Sequence, residues 1–171
     1  MYIYLTSGTY DFLKTIKQKH TNETMILMEN PETAMLVHET EHKSVFQTPR
    51  RYEVLDSSGQ LAEHGLIVFN NIPVTDEGRP VFEYRFKNRA GMIENSPGFQ
   101  AFRVLRPLDG NTYIIMTQWK DKQSFEAWKT SQSFKKAHGQ GKEPGVDHGP
   151  KIFSSPSYVT TYTVPSETNE S

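Results

Sequence analysis

The stretch FQAFRVLRPLDGNTYIIMTQW, residues 99–119, reads as two strands around a turn. Phe99–Leu105 and Thr112–Trp119 are rich in β-branched and aromatic residues. Pro107-Leu-Asp-Gly-Asn111 between them is hairpin-loop chemistry. Upstream, Leu66–Phe69 reads as a strand that ends at Asn70-Asn71. Val74–Pro80 then leads into a helix, because proline is tolerated in a first helical turn. There Phe82 and Phe86 lie one turn apart, with Arg85 and Arg89 beside them. Asn95-Ser-Pro-Gly98 breaks the chain before Phe99. Downstream, a second helix starts near Lys122 with Asp121 as N-cap, and Ser157–Val164 alternates as a last strand. The resulting order, β-α-β-β-α-β over 66–164, is a ferredoxin-like unit.

Residues 1–60 resemble the opening of the same unit. Tyr2–Leu5 is a strand, stopped by Thr6–Thr9. A helix follows with Phe12, Leu13 and Ile16 on one face, then strands Thr24–Met28 and Ala34–Glu39 around the turn residues Asn30-Pro31-Glu32. Lys43–Leu55 reads as further strand split by Pro49, and Ser57-Ser-Gly59 as a turn. The expected organisation is a half over 1–60 packed against the sheet of 66–164, with a tail over 165–171. One chain then imitates a symmetric dimer and carries a single site. A monomer with pseudo-twofold symmetry is the favoured arrangement, and a homodimer the other.

Composition removes several function classes. Nineteen Lys+Arg against twenty Asp+Glu leave a net charge of −1, so no basic excess points to nucleic acid or an anionic membrane. The absence of cysteine excludes disulfides, thiolate metal sites and cysteine nucleophiles, and fits a reducing, cytoplasmic setting. No apolar run approaches the ~20 residues of a membrane helix. The N-terminus lacks the basic and apolar regions of a signal peptide.

Chemistry concentrates in Lys122–His138. On an ideal helix Trp128, Ser131, Lys135 and His138 share an arc of roughly 80°, with Trp128 and His138 about 15 Å apart along the axis. A wide, flat ligand reaches both. Thr130-Ser-Gln-Ser133 has low helix propensity and invites a kink. Taken singly, Trp128 reads first as core, Asn70 as a turn residue and His138 as a helix-end histidine, and none of the three identifies a site alone. The glycine-rich segment 139–150 is either an idle loop or a flap. His38-Glu-Thr-Glu-His42 lacks the order of a zinc helix and lies at a strand end.

Phe125-x-x-Trp128-x-x-Ser131-x-x-Phe134-x-x-Ala137-His138 resembles the second-helix motif of IsdG-type heme-degrading monooxygenases, within the antibiotic-biosynthesis-monooxygenase (ABM) superfamily. Glu94-Asn-Ser-Pro-Gly-Phe99 and Val104-Leu-Arg-Pro-Leu108 resemble the same group. With Gly8–Lys14 and Ser157–Thr161 added, the chain is similar to its two-part bacillary members, and the N-terminal half also resembles TRAP-like staphylococcal proteins. The resemblance implies an α+β fold, a ferredoxin-like ABM domain of the dimeric α/β-barrel type preceded by a partial β-α-β-β half. It implies heme as both substrate and cofactor, O2, and an external electron donor such as a reductase. By the same resemblance Asn70, Trp128 and His138 form the catalytic trio, with His138 as axial ligand, Trp128 against the macrocycle, Asn70 donating to a distal ligand, and Phe86 lining the pocket. Asn71 competes with Asn70 for that role. Arg85 and Arg89 either meet heme carboxylates or form a solvated helix face. The alternatives are a TRAP-like heme-binding or signalling protein without turnover, and a monooxygenase acting on an aromatic substrate without heme.

Overall fold

Eight antiparallel strands close into a barrel in the order β1-β3-β2-β8-β5-β7-β6-β4. They are β1 (Tyr2–Gly8), β2 (Thr24–Glu29), β3 (Ala34–Thr40), β4 (Arg50–Gly59), β5 (Gly65–Pro73), β6 (Phe99–Pro107), β7 (Thr112–Trp119) and β8 (Tyr158–Val164). Among the described residues, three α-helices lie outside: α1 (Tyr10–Lys19), α2 (Arg79–Lys87) and α3 (Lys122–Trp128). This is a computed structural model, and it describes residues 1–87, 93–133 and 151–165.

The second half forms the four-stranded sheet β8-β5-β7-β6, the order a ferredoxin-like unit requires. The first half forms β4-β1-β3-β2, the same order, so β4 stands where β8 stands in the second sheet. The first half therefore supplies all four strands and lacks only the counterpart of α3. The sheets join edge to edge as well as face to face, through β4 on β6 and β8 on β2. Chain reversal across the barrel brings Glu39 of β3 to Arg103 of β6, whose Nε lies 2.6 Å from Glu39 Oε2. The pair is nearly buried and ties one half to the other.

Alternation along the strands separates two faces. Ile3, Leu5, Met28, Val37, Ile67, Phe69, Ile114 and Met116 fill the barrel interior. Leu13, Leu27 and Leu36, with Phe46 against them, form the outer layer of the first half. Leu66, Val68, Phe102, Val104 and Trp119 form the outer layer of the second, under α3. Ile72 and Tyr113 form its continuation under Phe82 of α2.

Three expectations need correction. Ser57–Gly59 is strand, not turn, and pairs with Ala101–Arg103. Gly59 has φ +74°, and a Cβ there would lie 2.1 Å from Gln100 O, so the glycine serves a close strand approach. Lys43–Pro49 is not strand, and β4 starts at Arg50. Asn70 and Asn71 do not end their strand. β5 runs on to Pro73, paired with β7 on one side and β8 on the other, and that double pairing overrides the turn preference of asparagine.

Candidate functional site

The outer face of β5, β7 and β6 is largely apolar, with Asn70, Thr117 and Arg106 among its polar groups. β5 presents Leu66, Val68, Asn70 and Ile72 outward, and β7 presents Ile115 directly opposite Asn70. Asn70 is half-buried, and its side-chain amide has no hydrogen-bond partner among the described residues. Asn71 faces inward and is 5% exposed. Its Nδ2 donates to Tyr158 O at 3.1 Å and Thr160 Oγ1 at 3.2 Å. The two candidates thus separate by strand parity: Asn71 is committed to the barrel wall, while Asn70 offers its amide to the floor.

Two aromatic walls rise from this floor. On α2, Phe82 meets Tyr113 edge-on with ring centroids 4.7 Å apart, and Phe86 follows one turn later. Phe86 and Ile115 belong to both outer apolar clusters and join them. The second wall is Trp128, half-buried at the end of α3 and packed on the same cluster as Phe86. Asp121 fixes the start of α3, its Oδ1 accepting from Ser124 N at 2.9 Å and Ser124 Oγ at 2.7 Å. Gly98 (φ +83°) approaches the same turn so closely that a Cβ would lie 2.1 Å from Ser124 Oγ. After Trp128 the chain passes into a π turn over Lys129–Ser133, where the low-propensity run predicts a kink. The ideal-helix distance from Trp128 to His138 therefore does not carry over.

Two cavities flank the walls. One of about 580 Å³ lies between Asn95–Pro97 and α3, with Trp128 and Ser131 in its lining. The other, about 420 Å³, is bounded by Leu55, Asp56, Glu83, Phe86 and Arg106. Its polar rim is an ion-pair network. Arg106 donates to both oxygens of Glu83, at 3.0 and 2.8 Å, and to Glu53 at 2.9 Å. Tyr113 Oη also donates to Glu83. Hydrogen bonds from Arg106, and then from Tyr113, hold the Glu83 carboxyl below its ordinary value against an opposing effect of burial. Arg106 is thus committed to two carboxylates, Glu53 and Glu83, and is not left open to an anionic ligand group.

The structure brings Asn70, Phe86 and Trp128 to one apolar layer. His138 and Arg89 lie outside the described residues, and Arg85 is exposed on α2. No group of three or more metal-ligating side chains occurs among the described residues. His38 is buried, its Nε2 2.8 Å from Glu23 Oε1 and its Nδ1 2.8 Å from Ser44 Oγ, so it is a structural clasp and not a zinc ligand. Sequence reasoning missed Trp119 and Thr117 beneath Trp128. Their i, i+2 spacing in a strand that also carries Ile115 was the available signal. No helix among the described residues is long and apolar enough to cross a membrane.

Residues 65–140 match the family model described as antibiotic biosynthesis monooxygenase. The signal transduction protein TRAP of Staphylococcus epidermidis is 30% identical over 134 residues, covering 78% of this chain and 80% of that protein. A heme-degrading monooxygenase of Listeria monocytogenes is 27% identical over 129 residues, covering 75% of this chain and 77% of that one. The solved structure of a major regulator of staphylococcal pathogenesis superposes with a TM-score of 0.82 at 26% identity, covering 96% of this chain and 99% of the other.

Proposed function

This chain belongs to the antibiotic biosynthesis monooxygenase superfamily, in company with the staphylococcal TRAP proteins, and from that premise we propose that it binds heme and degrades it oxidatively. The observation that carries the reading is that the uncommitted Asn70 amide, Phe86 and Trp128 share one apolar layer outside the sheet. An apolar macrocycle suits aromatic walls such as these, with the cavity of about 580 Å³ beside Trp128, and an uncommitted amide suits a small polar ligand. The Listeria relative supports heme as the substrate.

In this reading His138 would hold the heme iron through an imidazole nitrogen, as its place in the motif suggests. Trp128 would press on the macrocycle, and macrocycle distortion is a recognised lever of the protein on heme reactivity. Asn70 donates a hydrogen bond on the distal side, and Phe86 holds the opposite edge and excludes water. Bound heme supplies the redox-active iron and is also the molecule opened, with O2 and electrons from an external reductase. Arg106, already paired with Glu53 and Glu83, would not be the partner of a heme carboxylate. The protein acts as a monomer with one site, in a cytoplasmic setting that its lack of cysteine suits.

The test is a hemin titration of wild type, His138→Ala and Trp128→Ala. The reading expects a histidine-ligated Soret spectrum in wild type, its loss in His138→Ala, and binding without normal turnover in Trp128→Ala. A histidine-ligated spectrum retained by His138→Ala contradicts the axial assignment. The similarity to TRAP favours one second reading, a heme-binding or signalling protein without turnover. Stable heme in the presence of O2 and two different reductants selects it.

A further inference from the structure

The chain holds two tryptophans, and they lie against each other. Trp119 is fully buried at the last position of β7, where it pairs with Leu66 of β5 and Phe99 of β6. Its Nε1 donates to Thr117 Oγ1 at 2.9 Å, two residues back on the same face. Phe99 meets it edge-on, with centroids 5.9 Å apart and planes at 85°. Trp128 leans on it at 5.6 Å and 36°, and Phe125 stacks beside Trp128 at 6.5 Å and 28°.

Trp128 is the last residue of α3, where regular α hydrogen bonding gives way to the π turn. Backbone order at that point is least able to fix a side chain. The tilt of Trp128 must then come from what its ring touches. Phe125 belongs to the same helix and moves with it. Trp119 belongs to the sheet, and its own orientation is fixed by the Thr117 hydroxyl and by Phe99. Packing alone leaves a flat ring free to slide, whereas a hydrogen bond to a strand side chain sets its rotation.

We propose that Trp119, locked by Thr117, is a positioning residue that sets the angle at which Trp128 meets the macrocycle. This rests on the reading of Trp128 as the residue pressed on heme. Removing the Thr117 hydroxyl should let Trp119 and Trp128 shift together, so that heme still binds but is opened more slowly.

Because both tryptophans belong to this contact, the difference between the far-ultraviolet circular dichroism of wild type and Trp128→Phe isolates their exciton couplet from the backbone and the other aromatics. The variants are Thr117→Val, which keeps the shape, Thr117→Ser, which restores the hydroxyl, Trp128→Phe, and the Thr117→Val/Trp128→Phe pair. In apo-protein the expected result is an exciton couplet in wild type, its loss in Trp128→Phe, its weakening in Thr117→Val and its return in Thr117→Ser. With heme, Thr117→Val should slow ring opening by about 5-fold with affinity within about 2-fold, and the double variant should match Trp128→Phe alone, as expected when one residue acts through the other. An unchanged couplet in Thr117→Val overturns the proposal, and so does a double variant slower than Trp128→Phe. Wild type that holds heme without opening it overturns the functional reading alone. The apo couplet then still decides the positioning claim: weakening in Thr117→Val supports it and an unchanged couplet overturns it.

Discussion

Asn70 and Asn71 are neighbours on β5 whose amides point to opposite sides of the barrel wall. Asn71 donates to Tyr158 O and Thr160 Oγ1 across the β5–β8 seam. Asn70 stands on the outer floor opposite Ile115, without a partner among the described residues. The same side chain thus does two jobs one residue apart, because successive strand positions alternate.

The two asparagines should separate on substitution. Asn71→Ala should destabilise the fold by about 1–3 kcal/mol, since it strips hydrogen bonds from buried wall groups. Asn70→Ala should change stability by less than about 0.5 kcal/mol, the usual range for a site with no structural partner, while slowing heme degradation. Urea unfolding and turnover on both variants check this. Lost turnover in Asn71→Ala with intact stability would assign the functional amide to the wrong residue.

Arg103 and Glu39 should prove a strong tie between the halves. The guanidinium also donates to Ser58 O at 3.0 Å and Phe102 O at 2.9 Å, so it is well satisfied only in the closed barrel. Glu39→Gln leaves a buried charge without its counter-ion and should cost about 3–5 kcal/mol. Glu39→Gln/Arg103→Met should recover part of that loss. Chemical denaturation of the two variants decides, and equal stability of wild type and Glu39→Gln would contradict it.

Acid should loosen α2 before it unfolds the barrel. Glu83 has its carboxyl pulled below the ordinary 4.5 by Arg106. A depressed carboxyl contributes stability above the unfolded-state value and loses it as pH falls through the folded one. The half-screened network should contribute about 1 kcal/mol. Unfolding free energy measured from roughly pH 6 to pH 3 should fall less steeply in Glu83→Gln than in wild type. Parallel curves would show that Glu83 is not linked to folding.

Hemin titration should saturate at one equivalent per chain. The outer face of the first-half sheet, where a second site would stand by pseudo-symmetry, is closed by α1 and Phe46, with Leu13 and Leu36 fully buried. His38, clasped by Glu23 and Ser44, fastens the segment that replaces the missing helix. Two tight equivalents per chain would contradict this.

The strand order was legible wherever alternation and turn chemistry agreed, as at Phe99–Trp119 and around Asn30-Pro31. It failed where a residue served a neighbour distant in sequence. Gly59 looks like a turn glycine, but it allows the close approach of Gln100. Asn70-Asn71 look like a strand end, but two flanking strands hold them in the sheet. The π turn was foreshadowed by Thr130–Ser133, since those side chains compete for backbone hydrogen bonds, and Thr130 Oγ1 does bond Glu126 O at 2.9 Å. The spacing of Ile115, Thr117 and Trp119 puts Trp119 on the outer face, but nothing in one strand tells which helix residue will cover it. Arg106 escaped notice for the same reason, its partners Glu53 and Glu83 lying on β4 and α2.

The most direct test of the account is an absorbance time course of purified protein with stoichiometric hemin, in air, after addition of a reductant and catalase. The account predicts a Soret band that forms on mixing and then decays with release of iron, since catalase removes free peroxide as the cause. A band that forms and persists with two different reductants would contradict catalytic heme degradation.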